Sequence, residues 1–156
     1  PCDPALSYRR QTASAYFDAK PDRSAAMILY VLTAVLFLAV DAVMLTVVMK
    51  PLFTRHLGET MRDSPMLAPA GVFYLAYVAG LVFLVSMPAL RDAAPGRAAL
   101  HGAIIGAMAY GTYEFTSMSI MKDWSWQMVA TDTIWGAVLT GLCAWAGVAL
   151  MSRFQI

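Results

Sequence analysis

Apolar residues fall in four long stretches along the chain, each bounded by charged residues or prolines. A helix that crosses a bilayer needs about 20 mostly apolar residues, and each stretch is long enough. We therefore predict spanning helices at about residues 27–49, 68–90, 98–120 and 126–151. Lys50-Pro51 bounds the first stretch, and Pro69 opens the second in a first turn, where proline is tolerated.

The connections between the stretches are short, except for residues 50–67. There Phe53, Leu57 and Met61 recur at four-residue spacing among polar side chains. That pattern predicts a short amphipathic helix at the membrane interface, and an irregular polar loop fits almost as well. Residues 1–26 contain three prolines and no long apolar run, so they are predicted to form a polar tail ahead of a four-helix domain over residues 27–156.

The overall composition indicates that a lipid bilayer surrounds this chain. Of its 156 residues, 60% are hydrophobic and 13% are charged, whereas a soluble domain is about 45–50% apolar and about 25% charged. We predict an all-α, polytopic membrane protein, a bundle of four transmembrane helices whose partner is the lipid bilayer. The net charge of +1 gives no support for a nucleic-acid partner.

Lysine and arginine residues are divided unevenly between the two predicted sides of the membrane. Seven lie with the termini and the second connection, namely Arg9, Arg10, Lys20, Arg23, Arg91, Arg97 and Arg153, and four lie opposite, namely Lys50, Arg55, Arg62 and Lys122. Positive residues favour the cytoplasmic side, so both termini are predicted to be cytoplasmic. The margin falls to five against four when the distant Arg9-Arg10 pair is set aside.

Three acidic side chains interrupt the apolar stretches: Asp41, Glu114 and Asp132. An acid inside a membrane is unfavourable, so such residues face the interior of a bundle and often mark function. At about 1.5 Å of rise per residue, Asp41 and Glu114 lie roughly 21 Å and 24 Å from the side of the termini. Asp132 lies about 9 Å below the opposite side. In a core about 30 Å thick, all three reach a similar level.

Every predicted helix brings polar or aromatic side chains to the same level, where no Lys, Arg or His lies. Tyr110, Tyr113, Glu114 and Ser117 share one face of the third helix. The sequence predicts a ligand-binding or proton-handling site formed by Asp41, Glu114, Asp132, Tyr74, Tyr77, Tyr113 and Trp135. The alternative is a structural network, in which protonated carboxyl groups bond to tyrosines and fix the helix register.

Other patterns in the sequence give no further candidate for a functional site. The sequence contains no nucleophile elbow, phosphate-binding glycine loop or zinc motif, so no catalytic residue, cofactor or metal site is predicted. Gly102 and Gly106 form a G-x-x-x-G motif that permits close helix approach, and we expect packing within the chain in preference to dimerisation. Trp124 and Trp126 lie near predicted span ends, as an aromatic belt would require.

Four short motifs carry a resemblance to a known family. They are Asp41-Ala42-Val43, Phe73-Tyr74-Leu75-x-Tyr77-x-x-Gly80, Tyr113-Glu114-Phe115-Thr116 followed by Lys122-x-Trp124, and Asp132-x-x-Trp135-Gly136. Over about residues 27–151 the chain resembles the bacterial membrane proteins grouped as domain-of-unknown-function family 2177. It departs from that family's pattern at Met44, Glu114 and Ser117, where tryptophan, aspartate and asparagine are usual. The resemblance implies four spans in the bacterial inner membrane and implies no particular activity.

These observations lead to one main functional hypothesis and two alternatives. We expect a small membrane protein that binds or transports a cation, a proton or an amphiphilic small molecule at the acidic site. The first alternative is a non-catalytic accessory subunit of a larger membrane complex, or a chain that associates with itself. A lipid-modifying enzyme that uses the acids as general acid and base has the least support, so enzyme activity is not predicted.

Overall fold

A computed structural model describes residues 23–62 and 64–154, apart from the side chain of Glu59. Within these residues the chain forms helices and connections and no strand. The long helices are α1 (Arg23–Leu57), α2 (Leu67–Arg91), α3 (Pro95–Ile120) and α4 (Trp126–Phe154). The tail predicted over residues 1–26 lies outside the described residues, except that Arg23–Ala26 belong to α1.

Three of the helices, α1, α2 and α4, are long enough and apolar enough to cross a membrane. Helix α3 has 26 residues, about 39 Å at 1.5 Å per residue, so its length also suits a span. Helix α3 is less apolar than the other three helices, because glycine, serine, threonine and tyrosine residues, together with Glu114, lower its mean hydropathy. The structure therefore shows three candidate spans where the sequence predicts four.

Helix α1 continues beyond the predicted end of the first span. A π-helical turn, Leu45–Met49, precedes Pro51, and the N–H of Lys50 donates to the carbonyl of Leu45. Proline has no N–H and its ring crowds the carbonyl four residues earlier, and such wider turns accommodate it. The sequence predicts an end at Met49, but the helix runs through Pro51 to Leu57. Residues 50–57 are therefore a continuation of α1.

Helix α4 is central, because it packs against α1, α2 and α3. Its contact with α3 is the most extensive, and small residues allow the backbones to approach closely. A Cβ atom added at Gly106 would lie 2.1 Å from the carbonyl oxygen of Gly136, and one at Gly102 would lie 2.9 Å from that of Thr140. Gly102 and Gly106 therefore serve packing within the chain, as the sequence predicts.

Neighbouring helices run in alternating directions. Thr33 lies against Gly147, and Asp41 is bonded to Trp135, so α1 and α4 are antiparallel. The terminal end of the bundle is defined here as the end where α1 begins and α4 ends. The loop end carries the connections 58–66 and 121–125. Apolar side chains exposed on α1, as contact with lipid requires, include Met27, Val31, Val35, Val43 and Val47.

Candidate functional site

Two buried carboxyl groups each accept a hydrogen bond from a tryptophan. Nε1 of Trp135 donates to Oδ1 of Asp41 at 2.9 Å, and Nε1 of Trp124 donates to Oε2 of Glu114 at 2.8 Å. Asp41 is 1% exposed and Glu114 is 0% exposed. The second oxygens, Oδ2 of Asp41 and Oε1 of Glu114, are buried and have no hydrogen-bond partner among the described residues. Each acid is thus satisfied on one oxygen only.

Asp132 on α4 is the partner of Glu114 across the contact between α3 and α4. Their carboxyl groups lie close enough to interact electrostatically, and a proton on one of them would allow it to donate a hydrogen bond to the other. Two ionised carboxylates could not form such a bond, because both can only accept. Asp41 also interacts electrostatically with Asp132. The three acids therefore form one group, contributed by α1, α3 and α4.

Helical spacing explains why most of these side chains lie on the same face of their helix. Asp132 and Trp135 are three residues apart and share a face of α4, so one face reaches both other acids. Glu114 and Ser117 repeat the same spacing on the buried face of α3. The level that the three acids reach along their helices follows from the sequence, and the rotation of each helix then turns them towards one another.

Trp124 reaches Glu114 from the connection between α3 and α4. The indole ring is 6% exposed and lies edge-on to Phe53, with ring centroids 5.3 Å apart, and edge-on to Tyr113 at 5.6 Å. The prediction that Trp124 belongs to an aromatic belt is wrong, because the side chain faces inward and binds an acid. Since Phe53 lies beyond Pro51, the continuation of α1 closes the loop end over this tryptophan.

The two tyrosines of α2 lie at different distances from the acids. Both rings pack on Phe37, with centroid distances of 5.9 Å for Tyr74 and 5.7 Å for Tyr77. The hydroxyl of Tyr74 approaches Asp41. The hydroxyl of Tyr77 lies instead 3.0 Å from Oγ1 of Thr140, further towards the terminal end. Tyr74 therefore belongs with the acids, and Tyr77 lies below them.

The two tyrosines of α3 differ in the same way. Tyr113 is 54% exposed and touches Trp124, so it lies at the rim of the site. Tyr110, which is not among the seven predicted residues, lies deeper. Its ring covers Gly136, where an added Cβ would lie 2.2 Å away, and its buried hydroxyl has no partner among the described residues. Its spacing of four residues from Glu114 is the signal that points to it.

No positive charge neutralises the acids within the described residues. The ion pair found there joins Arg97 to Asp92 at the terminal end. Across the same residues, no group of three or more His, Cys, Asp or Glu side chains is arranged to hold a metal ion. A buried carboxylate without a positive partner is so unfavourable that the group takes up a proton instead. The arrangement therefore suits the binding of protons.

Comparison with models of protein families gives a match over most of the chain. Residues 26–149 match the model of a family described as predicted membrane protein (DUF2177). No match is found among curated proteins or among solved structures. The matched residues include all three acids and both tryptophans that bind them.

Proposed function

The chain belongs to DUF2177, a family of predicted membrane proteins, as its motifs predict, and we propose that it binds and releases protons within the membrane. In this proposal Asp41, Glu114 and Asp132 carry the exchangeable protons. Their state of charge then controls the binding or passage of a small cation or an amphiphilic molecule. Tyr74, Tyr110 and Trp135 orient the acids and limit access of water to them.

The observation that carries this proposal is the unpaired oxygen on two buried acids. If the network were purely structural, each carboxyl oxygen would be expected to have a partner, because an unsatisfied buried acceptor costs about 1–3 kcal/mol. Oδ2 of Asp41 and Oε1 of Glu114 lack one within the described residues. Acids left in this state inside a membrane are usually functional. A proton is the smallest ligand that such an oxygen can bind, and it removes the buried negative charge.

The proposal includes a four-span topology in the bacterial inner membrane. Helix α3 lies antiparallel to α4, and its two flanking connections, at residues 92–94 and 121–125, lie at opposite ends of the bundle. A crossing by α3 therefore follows if α4 crosses. The sequence predicts seven lysine and arginine residues on the side of the termini and four on the opposite side, and this excess supports a cytoplasmic location for both termini.

A role as an accessory subunit is the second candidate, and it rests on the surface of α1. Only 22% of the apolar window of α1 is buried, compared with 50% in α4. The remaining surface suits either lipid or the helix of another protein. Gentle purification from native membranes distinguishes the two candidates, since a stable partner in fixed stoichiometry favours the subunit and an isolated chain favours the proton-binding role.

Proton movement can be tested in sealed vesicles that contain the protein and a trapped pH-sensitive dye. We expect an imposed membrane potential to drive a pH change with the wild type. The change should be lost with Asp41→Asn, Glu114→Gln or Asp132→Asn. Asp123→Asn is the matched control, because Asp123 is exposed in the connection 121–125. Equal signals from the wild type and all three amide variants would contradict transport through this site.

A further inference from the structure

A second set of buried polar atoms lies in the terminal-end half of the bundle, away from the acids. Thr33 on α1 and Ser86 on α2 are both 0% exposed. Neither hydroxyl has a hydrogen-bond partner in the part of the chain that the structure describes. Helical threonines commonly bond to the carbonyl four residues earlier, as Thr112 does to Met108 at 2.6 Å. Thr33 and Ser86 do not make this bond.

The backbone of α2 is irregular around Ser86. Residues Val82–Ser86 form a π-helical turn, and the carbonyl of Val82 accepts the N–H of Met87. Pro88 has no N–H, so the carbonyl of Leu84 loses its usual donor as well. In membrane helices such freed groups are satisfied by neighbouring hydroxyls and by ordered water. Leu84 is itself 62% exposed, so Ser86 is the polar side chain that this turn places on the buried face of α2.

Thr33 has room for its hydroxyl because it faces a glycine. A Cβ atom added at Gly147 would lie 2.8 Å from Oγ1 of Thr33. A buried hydroxyl without a partner is unfavourable in an apolar medium, so a small polar molecule is expected beside it. Water fits best, since buried water typically makes about three hydrogen bonds to buried polar groups that lack other partners.

The hydroxyl pair of Tyr77 and Thr140 lies between these side chains and the acids. At about 1.5 Å per residue, Thr140 lies about 12 Å from Asp132 along α4, and Ser86 lies about 13 Å beyond Tyr77 along α2. Ser86 is then only about 8 Å from the end of α2. The polar groups therefore follow one another from the acids to the terminal end at intervals of about 12 to 13 Å along the helices.

We propose that Thr33 and Ser86 bind water molecules and that this water connects the terminal end of the bundle to the three acids. The inference rests on the proposed function, since it supplies the route by which protons reach the carboxyl groups. Each hydroxyl and each water accepts one proton and passes on another, so none changes chemically. A carboxylate of the acidic group receives the last proton, and the hydroxyl pair of Tyr77 and Thr140 is the middle step.

The test is the rate at which protonated carboxyl groups exchange hydrogen for deuterium, followed by infrared spectroscopy of the full chain in lipid nanodiscs. Thr33→Val and Ser86→Ala should each slow exchange by about tenfold or more, which corresponds to about 1.4 kcal/mol in the barrier. The position of the carboxyl band should not change. Thr112→Val and Ser119→Ala are matched controls, because these hydroxyls are exposed and bonded within their own helix.

Thr33→Ser separates the hydroxyl from the packing, because it keeps the oxygen and removes a methyl group. Exchange at the wild-type rate in Thr33→Ser supports the route, whereas exchange as slow as in Thr33→Val overturns it. Unchanged exchange in both Thr33→Val and Ser86→Ala also overturns it. If the wild type contains no protonated carboxyl group, the proposed function fails instead. In that case the infrared O–H band of internal water tests the route. A water band that persists in both Thr33→Val and Ser86→Ala overturns it.

Discussion

The indole N–H of Trp124 donates a hydrogen bond of 2.8 Å to Oε2 of Glu114, ten residues earlier in the chain. The bond ties the connection at the loop end to an acid inside the bundle. Phe53 lies edge-on to the same indole ring, so the continuation of α1 beyond Pro51 also supports it. One oxygen of Glu114 is fixed in this way, while Oε1 has no donor among the described residues.

Replacing Trp124 by phenylalanine removes the N–H donor and keeps an aromatic ring. We expect Trp124→Phe to lower the free energy of unfolding by about 1–3 kcal/mol, because a buried acceptor loses its partner. Reversible unfolding in mixed micelles measures this change. Trp126→Phe is the control, since Trp126 is 65% exposed. Similar losses in the two variants would show that the bond to Glu114 contributes nothing.

The close contact between α3 and α4 makes Gly106 sensitive to any side chain. Gly106→Ala places a Cβ atom 2.1 Å from the carbonyl oxygen of Gly136, and neither backbone can move without separating the helices. We expect a loss of stability of at least about 1–3 kcal/mol, the usual effect of overpacking. Gly80→Ala serves as the control, since nothing lies within 4 Å of its added Cβ. Equal stability of the two variants would contradict the packing described for α3.

The pairing of Glu114 with Asp132 predicts that the losses of proton binding caused by replacing each acid do not add. If Glu114 and Asp132 share one proton, then Glu114→Gln and Asp132→Asn each abolish its uptake, and the double variant loses no more than either single variant. Proton binding measured by difference titration of the purified variants at neutral pH tests this. Losses that add in the double variant would mean that the two carboxyl groups titrate independently.

The topology can be tested with single cysteines placed at the two ends of α3. In a chain without Cys2 and Cys143, we expect Arg91→Cys to react with a membrane-impermeant maleimide only from the cytoplasmic side. Asp123→Cys should react only from the opposite side. Both positions are exposed, so burial does not limit labelling. Reaction of both cysteines from one side would show that α3 does not cross.

Much of the fold can be predicted because the length of each apolar stretch, and the depth of a residue along its helix, can be counted directly from the sequence. Asp41, Glu114 and Asp132 are placed at one level by counting residues, and the structure groups them. The continuation of α1 through Pro51 is not predicted, because a π-helical turn depends on bonds that no local pattern reveals. Residues 1–22 lie outside the described residues, so the prediction that the chain begins with a polar tail stays a prediction.

The site itself is less predictable, because its hydrogen bonds depend on rotation and on loop paths. Trp124 lies near a span end, where an aromatic belt is the usual explanation, and only the folded connection turns it towards Glu114. Tyr110 and Tyr113 share a predicted face, but the ring of Tyr110 alone fits over Gly136. Helical spacing selects a face about 100° wide, and packing decides which side chains on that face are buried.

The protonation of Asp41, Glu114 and Asp132 in the folded protein tests the central claim most directly. Infrared difference spectra recorded in lipid across a pH titration show it, with Asp41→Asn, Glu114→Gln and Asp132→Asn assigning the bands. We predict protonated carboxyl bands at neutral pH that weaken as the pH rises, and we expect the band of the paired acids to be absent from Glu114→Gln and Asp132→Asn. A carboxyl band that ignores pH throughout, or the absence of any protonated carboxyl at neutral pH, would contradict the account.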